Sequence, residues 1–232
     1  MLGQLPLNIR LDAELSLANF WFAPQLAPLQ AELGSPAEPA IGSVFLWGGA
    51  GAGKSHLLQA LAAKNGAGAR YLPLADLLDF SPPAVLEGVE GASAVLMDDV
   101  HLLAEHRDWQ EAVFYCFNTL KERGIPQVYS AHAPPAQLTD TLPDLRSRWG
   151  GLAVYQLPPH DDAALGSLLR FRGARRGLDF SDEVIAYILA RSPRTAVGLM
   201  ALLDTIDQAA LARGRAITIP LLAELKLWSG DL

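Results

Sequence analysis

Residues 44–55, Val-Phe-Leu-Trp-Gly-Gly-Ala-Gly-Ala-Gly-Lys-Ser, decide the fold of this chain. The first four are apolar and predict a buried strand, and a helical pattern begins at Lys54. The segment satisfies G-x-x-x-x-G-K-[ST], in which glycines let the backbone approach a phosphate chain and helix-start amides point at it. A glycine-rich turn without a ligand is the alternative. The strand–loop–helix context favours a nucleoside phosphate site.

The motif assigns a role to each residue of this phosphate loop. Lys54 can reach the terminal phosphates, and the Ser55 hydroxyl suits Mg²⁺. The backbone on either side of these two residues surrounds the ligand. We therefore expect the nucleotide to contact one continuous segment, made up of Gly49, Ala50, Gly51, Ala52, Gly53, Lys54, Ser55 and His56.

A second informative run, residues 92–99, ends in two adjacent carboxylates, Asp98 and Asp99. Its apolar residues predict a central parallel strand, and open α/β sheets bind ligands where such strands end. Asp98 is a candidate Mg²⁺ ligand, directly or through water, and Asp99 is a candidate for orienting an attacking water. The alternative is a capped strand end without a ligand. The phosphate loop upstream favours the ligand-binding interpretation over it.

The remaining pattern predicts an α/β architecture in two parts. Further strands are predicted over 69–74, 127–131 and 152–157, with helices between them, which indicates a doubly wound parallel sheet in residues 13–158. One of those helices is predicted over 138–148, with a break near Pro143. Residues 159–232 are predicted to form a small all-helical domain, with helices near 161–174, 181–191, 194–213 and 219–228.

Composition excludes several classes of protein. Half of the 232 residues are hydrophobic and 19% are charged, which suits a packed core and argues against disorder. The formal charge of −7 lacks the broad basic footprint of an autonomous duplex-DNA binder. The single cysteine, Cys116, excludes an internal disulfide and a cysteine-rich zinc site. Without a signal-peptide or membrane-span pattern, the expected location is the cytoplasm.

Two arginines and the N-terminal segment each allow two interpretations. Arg148, near a helix end, is either a cation favoured by the helix dipole or an arginine finger reaching a neighbouring subunit's nucleotide. Arg194, at the start of the third helix of the small domain, either faces the phosphates or forms a surface salt bridge. Residues 1–12 are either a strand or frayed tail, or an extended peptide that inserts its leucines into a partner.

Taken in order, these motifs make the chain resemble an AAA+ ATPase of the bacterial initiator DnaA branch over roughly residues 16–230. The segments that carry the resemblance are Leu-Trp-Gly-Gly-Ala-Gly-Ala-Gly-Lys-Ser-His-Leu-Leu, Leu-Met-Asp-Asp-Val-His and Leu-Arg-Ser-Arg-Trp-Gly-Gly-Leu. The resemblance implies an AAA+ P-loop parallel-sheet domain followed by a helical lid. It places the arginine finger at Arg148 and a nucleotide-sensing arginine at Arg194. His132 stands where the family usually has an aspartate, so we expect weak or no ATPase activity of its own.

The ends of the chain resemble those of a DnaA-related regulator. DnaA continues beyond its lid into a helix-turn-helix domain, for which this sequence offers no counterpart before Leu232. Gln-Leu-Pro-Leu at 4–7 resembles a motif that binds the β sliding clamp, which implies contacts from Gln4, Leu5 and Leu7. The implied partners are DnaA, the β sliding clamp of DNA polymerase III and, through the clamp, DNA. A membrane is not among the implied partners, and a homodimer or higher homo-oligomer is allowed.

The resemblance implies a negative regulator of replication initiation that binds ADP or ATP with Mg²⁺ and stimulates hydrolysis of DnaA-bound ATP. The main alternative is a self-sufficient AAA+ ATPase such as a helicase loader. A small-molecule P-loop kinase and a clamp-binding adaptor with a vestigial nucleotide site are further alternatives. Turnover by the protein alone, and the effect of replacing Lys54, discriminate between them.

Overall fold

The structure, a computed structural model, describes residues 11–12, 14–34, 42–213 and 217–225. The chain divides into two compact units, with the boundary between Pro158 and Pro159. In the described ranges, no helix is both long enough and apolar enough to cross a membrane.

The first unit is built on a five-stranded sheet in which every strand pair is parallel. The strands are β1 (Val44–Trp47), β2 (Ala69–Pro73), β3 (Ala94–Asp98), β4 (Gln127–Ala131) and β5 (Ala153–Gln156). Their order across the sheet is β2-β3-β4-β1-β5. The predicted parallel sheet with helices between its strands is confirmed.

Helices cover both faces of this sheet, so its strands are buried on two sides. They are α1 (Ala27–Glu32), α2 (Lys54–Asn65), α3 (Leu74–Leu77), α4 (Pro82–Leu86), α5 (Arg107–Glu122) and α6 (Pro143–Gly150). Alternate strand residues point to opposite faces. Leu46, Leu96 and Val128 pack with α1 and α2 in one apolar cluster. Phe45, Met97 and Tyr129 face the opposite way and pack with α3 to α6 in the other.

The strand order brings three functional segments to one edge of the sheet. The phosphate loop follows β1, the adjacent carboxylates lie at the end of β3, and His132 follows β4. Because β3, β4 and β1 are neighbours and parallel, their carboxyl ends meet at the same edge. The amide N–H of Gly48 donates to the Ala131 carbonyl, at 3.2 Å, which ties the start of the loop to the end of β4.

One predicted helix is shorter than expected. The helix predicted over 138–148 begins only at Pro143, and a separate 3₁₀ turn covers Pro135–Gln137. Proline has no N–H and a fixed φ, so it is favoured in the first turn of a helix and disfavoured inside one. The break predicted near Pro143 is therefore the beginning of α6, and the helix extends to Gly150.

Trp149 anchors α6 to the sheet. Its side chain is fully buried and its ring centroid lies 5.6 Å from those of Phe45 on β1 and Tyr129 on β4. Arg148 is the preceding residue and is exposed. The packing of Trp149 therefore fixes the helix turn that presents Arg148 to solvent.

We expect Trp149→Ala to lower the free energy of unfolding by about 3–5 kcal/mol, the usual cost of removing a large buried aromatic side chain. Denaturant unfolding of the full chain measures it. Tyr115→Ala is the matched control, because Tyr115 is 69% exposed and its truncation should change stability by no more than about 0.5 kcal/mol. Equal losses in the two variants would contradict an anchoring role for Trp149.

The second unit contains helices and no strand among its described residues. Its helices are α7 (Asp162–Arg175), α8 (Asp182–Leu189), α9 (Ala196–Arg213) and α10 (Ile219–Glu224). Asp161, Ser181 and Thr218 cap three of them, each accepting a hydrogen bond from a first-turn amide. Their apolar faces form one core, which contains Leu169, Ile188, Leu203 and Leu222.

Candidate nucleotide-binding site

The phosphate loop has the open backbone that an anion needs. Gly51 and Gly53 have φ angles of 73° and 94°, a left-handed conformation that residues with a side chain rarely adopt. A Cβ added at Gly49 or Gly51 would meet no atom within 4 Å, so this backbone is accessible. Helix α2 begins at Lys54, and its first-turn N–H groups lack partners within the helix. These features suit an anion at the helix start.

Lys54 carries a buried positive charge that forms no direct ion pair among the described residues. Its Nζ donates to the carbonyl oxygens of Gly48, at 2.9 Å, and Gly49, at 3.0 Å. The residue is only 8% exposed, and it forms no ion pair with any described residue. A buried charge is normally paired. The ammonium group can donate a third hydrogen bond, and an anion above the loop would supply both the acceptor and the charge.

Asp98 is held rigidly at the end of β3. It is buried, and its two carboxylate oxygens accept hydrogen bonds from different hydroxyl groups. The Tyr71 hydroxyl donates to Oδ2 at 2.8 Å, and the Ser130 hydroxyl donates to Oδ1 in a close contact. Carboxylate and hydroxyl oxygens are ligands that Mg²⁺ prefers, so Asp98 and Ser55 form a chemically suitable set for that ion.

Asp99 has a strained backbone and an altered acidity. Its φ of 58° makes it the one non-glycine residue of left-handed conformation in the described chain. Aspartate tolerates this conformation better than most residues, and such strain is common at functional sites. Burial and the neighbouring Asp98 carboxylate raise the pKa of Asp99, while Lys54 and His132 act in the opposite direction. These charges act on Asp99 because all four residues lie close together.

His101 is a neighbour of this site that the sequence did not single out. Its ring lies edge-on to that of His132, with centroids 4.3 Å apart. Burial, together with His132 and Lys54, lowers the pKa of His101 to about 4, so the imidazole is neutral near pH 7. Its Nδ1 lies 3.8 Å from Asp99 Oδ1, which is too long for a hydrogen bond. The sequence shows His101 two residues after the paired carboxylates, in Asp-Asp-Val-His, but its contact with His132 can be seen only in the folded structure.

His56 points toward the segment that precedes β1. Its Nε2 lies 3.1 Å from the carbonyl oxygen of Ser16, and its ring packs edge-on against Phe20, with centroids 5.2 Å apart. A Cβ added at Gly53 would lie 3.1 Å from the same Phe20 ring. The side chain of His56 therefore joins α2 to the upstream segment. Its backbone N–H, in the first turn of α2, is the group it can offer to a nucleotide.

The two arginines lie in different units. Arg148 is exposed on α6, and its guanidinium carbon lies 5.9 Å from the centre of the Phe114 ring, within cation–π range. Arg194 belongs to the second unit, where it precedes α9 instead of opening it as predicted. Its Nη1 lies 3.3 Å from Asp162 Oδ2, and both side chains are largely exposed. Such an exposed pair contributes little to stability and is easily exchanged for another partner.

The predicted clamp-binding residues Gln4, Leu5 and Leu7 lie outside the described residues. The other predicted site residues of the first unit form two groups. The phosphate loop, Asp98, Asp99 and His132 meet at one edge of the sheet. Arg148 lies on the surface beside Phe114 of α5.

Two families match adjoining parts of the chain. Residues 87–155 match the bacterial DnaA ATPase domain, and residues 161–225 match the lid domain of Hda. Together these ranges make up more than half of the sequence.

Solved structures of DnaA share the fold. AMPPCP-bound DnaA from Aquifex aeolicus is 22% identical, with a TM-score of 0.71 over 87% of this chain and 68% of that chain. Domain III of Thermotoga maritima DnaA is also 22% identical, with a TM-score of 0.69 over 95% of this chain and 100% of that one. A replication initiator DnaA bound to AMPPCP and single-stranded DNA is 20% identical, with a TM-score of 0.70 over 88% and 69% of the two chains.

The parallel sheet, the glycine-rich loop after β1 and the helical second unit define the protein as an AAA+ module with a lid domain. The two family matches relate the chain to the DnaA branch of AAA+ proteins. Within that branch its lid is consistent with Hda, in agreement with the resemblance of its sequence motifs.

Proposed function

We propose that the protein binds ADP or ATP with Mg²⁺ and promotes hydrolysis of the ATP held by DnaA, which makes it a negative regulator of replication initiation. The observation that carries this proposal is the exposed Arg148 guanidinium beside Phe114, on a chain with a DnaA-type ATPase domain and an Hda-type lid. An exposed arginine without an ion pair among the described residues is available to another molecule.

The nucleotide of this chain has a structural role in the proposal. Lys54 and the amides of Gly49 to Ser55 would hold its phosphates, and Ser55 and Asp98 would hold the Mg²⁺. When bound, Mg²⁺ neutralises phosphate charge. The neutral His101 and the imidazole of His132 lie beside Asp99, and at position 132 the family usually has a carboxylate instead. This arrangement suits nucleotide binding better than fast turnover.

Arg148 supplies the chemistry in trans. Charge develops on the γ-phosphoryl group of ATP during its transfer to water, and a guanidinium fork can bind two of its oxygens. The Phe114 ring limits the directions in which the guanidinium can point, which reduces the entropy lost when it contacts the partner's nucleotide. Acting on DnaA, Arg148 would convert its bound ATP to ADP.

In this proposal the N-terminal tail, residues 1–12, brings the protein to the β sliding clamp. Gln4, Leu5 and Leu7 would enter a pocket of the β sliding clamp as an extended peptide, with main-chain hydrogen bonds and alternate side chains supplying affinity and specificity. The regulator would then act where the clamp has been loaded on DNA. DnaA and the clamp are the proposed partners, and DNA is contacted through the clamp.

The testing experiment measures hydrolysis of DnaA-bound ATP in the presence of this protein, ADP and DNA-loaded clamp. We expect stimulation by the full chain and its loss when residues 1–9 are removed, because the tethering peptide is then absent. Leu5→Ala combined with Leu7→Ala should reproduce the deletion, whereas Asn8→Ala, a matched change in the same segment, should not. Stimulation that survives the deletion unchanged would contradict the proposed role of the tail.

A self-sufficient ATPase is the second candidate function. It is favoured by the presence of Lys54, Asp98 and Asp99 at one edge of the sheet, which is the minimal set for hydrolysis in cis. ATP turnover by the protein alone, with and without DNA, distinguishes the two candidates. Turnover abolished by Asp98→Asn, together with no effect on DnaA, would replace the regulator proposal with this one.

A further inference from the structure

The Asp98 carboxylate is bound from both sides by hydroxyl groups of neighbouring strands. β2 and β4 flank β3, and the register pairs Tyr71 with Leu96 and Pro73 with Asp98. Because side chains alternate along a strand, Tyr71 and Asp98 point to the same face of the sheet, the face covered by α2. Tyr71 thus reaches Oδ2 from one side while Ser130 reaches Oδ1 from the other.

In both hydrogen bonds to Asp98, the hydroxyl of Ser130 or Tyr71 is the donor. The Ser130 hydroxyl accepts from the amide N–H of Asp99, at 2.9 Å, so its own hydrogen is available to Asp98. Gln59 on α2 lies near the Tyr71 hydroxyl and acts to lower its pKa, and Gln59 Oε1 accepts from the backbone N–H of Asp12, at 3.2 Å. The Tyr71 hydrogen is directed at Oδ2, because the carboxylate oxygen is the acceptor of this bond. Burial and the Asp98 charge raise the pKa of Tyr71, so the hydroxyl remains a donor at any physiological pH.

Removal of the Ser130 hydroxyl and removal of the Tyr71 hydroxyl would have different effects on the structure around Asp98. Ser130 also satisfies the amide of Asp99, the residue with the left-handed backbone, so its loss would affect the strained turn. Tyr71 contacts the carboxylate from an adjacent strand, and in the described part of the chain its hydroxyl forms no hydrogen bond with a backbone group of that turn. It can therefore lose its hydroxyl without changing the path of the chain at Asp98.

We propose that Tyr71 is a positioning residue that occupies Oδ2 of Asp98 and thereby sets how strongly Mg²⁺ promotes nucleotide binding. A cation that binds Oδ2, directly or through water, competes with the Tyr71 hydroxyl for the lone pairs of that oxygen. The Asp98 carboxylate should therefore bind the cation more strongly when the Tyr71 hydroxyl is absent. The inference rests on the proposed nucleotide and Mg²⁺ site and adds a residue that controls it. Neither the loop motif nor the paired carboxylates predicted this residue.

The test is the Mg²⁺ dependence of nucleotide affinity in Tyr71→Phe. Binding of fluorescent N-methylanthraniloyl-ADP to the full chain is followed by anisotropy, first in EDTA and then over a range of Mg²⁺ concentrations. We expect equal affinities in EDTA, within about twofold, because Tyr71 does not contact the phosphates. The variant should then reach its Mg²⁺-bound affinity at an about tenfold lower Mg²⁺ concentration, the equivalent of one hydrogen bond to a charged group.

Tyr155→Phe is the matched control. Tyr155 lies on β5 of the same sheet, is partly buried in the same apolar cluster, and forms no hydrogen bond with its hydroxyl among the described residues. It should keep the wild-type Mg²⁺ dependence. A thermal melt of each variant shows whether the substitution has altered the fold. If the role of Tyr71 were purely structural, Tyr71→Phe would lower the melting temperature and also weaken nucleotide binding in EDTA.

The outcomes separate this inference from the function it rests on. If the wild-type chain binds the labelled ADP and Tyr71→Phe shows the same Mg²⁺ dependence, the inference is wrong and nucleotide binding stands. A higher Mg²⁺ requirement in the variant would also overturn it, because Tyr71 would then assist the ion. Failure of the wild-type chain to bind nucleotide, with or without Mg²⁺, would overturn both.

Discussion

Replacing Arg148 with alanine is expected to reduce the stimulation of DnaA-bound ATP hydrolysis by about 10³-fold, the lower end of the effect of established arginine fingers. The loss should be confined to this activity. Arg148 is exposed, and its guanidinium carbon lies 5.9 Å from the centre of the Phe114 ring, so its truncation leaves the core unchanged. Nucleotide affinity, clamp binding and the free energy of unfolding should match those of the wild type.

Two variants make this prediction sharper. Arg107→Ala removes another exposed arginine from the first unit, one that pairs with Glu111 on α5 at 2.9 Å, and should leave stimulation unchanged. Arg148→Lys keeps the charge but not the planar fork, and should restore only a small part of the activity. Stimulation by Arg148→Ala equal to that of the wild type would exclude the finger role, whatever the other variants do.

Lys54→Met is expected to weaken ADP binding by about 100-fold, because a charge-assisted hydrogen bond to the phosphates is lost while the apolar stem is kept. The free protein should keep nearly the stability of the wild type. In the described structure the ammonium group is buried against two neutral carbonyls without an ion pair, so its removal ends a burial of charge but also removes the attraction to the neighbouring Asp99. Isothermal titration with ADP and denaturant unfolding give the two quantities.

Lys64→Met is the control for this change. Lys64 lies in the last turn of the same helix, at the end opposite the phosphate loop, and its Nζ donates to the carbonyl oxygen of Leu33, at 3.1 Å. Its replacement should leave ADP affinity unchanged. Unchanged affinity in Lys54→Met, combined with normal stimulation of DnaA, would instead favour the adaptor with a vestigial nucleotide site.

Much of the first unit could be predicted because its signals are local. The apolar residues of β1, the glycines after them and the helical spacing after Lys54 lie within a few turns of one another, so adjacent residues determine this strand–loop–helix unit. The cap of α8 is equally local, since Ser181 and the amide it binds are three residues apart. The start of α6 was misjudged because both a helix with a break and a helix beginning at Pro143 agree with the same short pattern.

The side-chain contacts around Asp98 and His101 could not be predicted from local sequence patterns. Tyr71 and Ser130 lie 27 and 32 residues from Asp98 in sequence, on different strands. Which strands flank β3 depends on how all five pack, and alternation alone does not specify that order. The pairing of His101 with His132, and its effect on the charge of His101, follow from the same strand order.

Most of the helices and strands, the parallel sheet, the helical lid and the chemical types that accompany a phosphate loop therefore follow from the sequence. The tertiary structure alone decided that Asp98 is held by two hydroxyls, that His101 stays neutral, and that Arg148 is exposed while its neighbour Trp149 is buried. The reason is physical. Helix and strand patterns arise from neighbouring residues, whereas burial, desolvation and hydrogen-bond partners depend on groups that only the packed fold brings together.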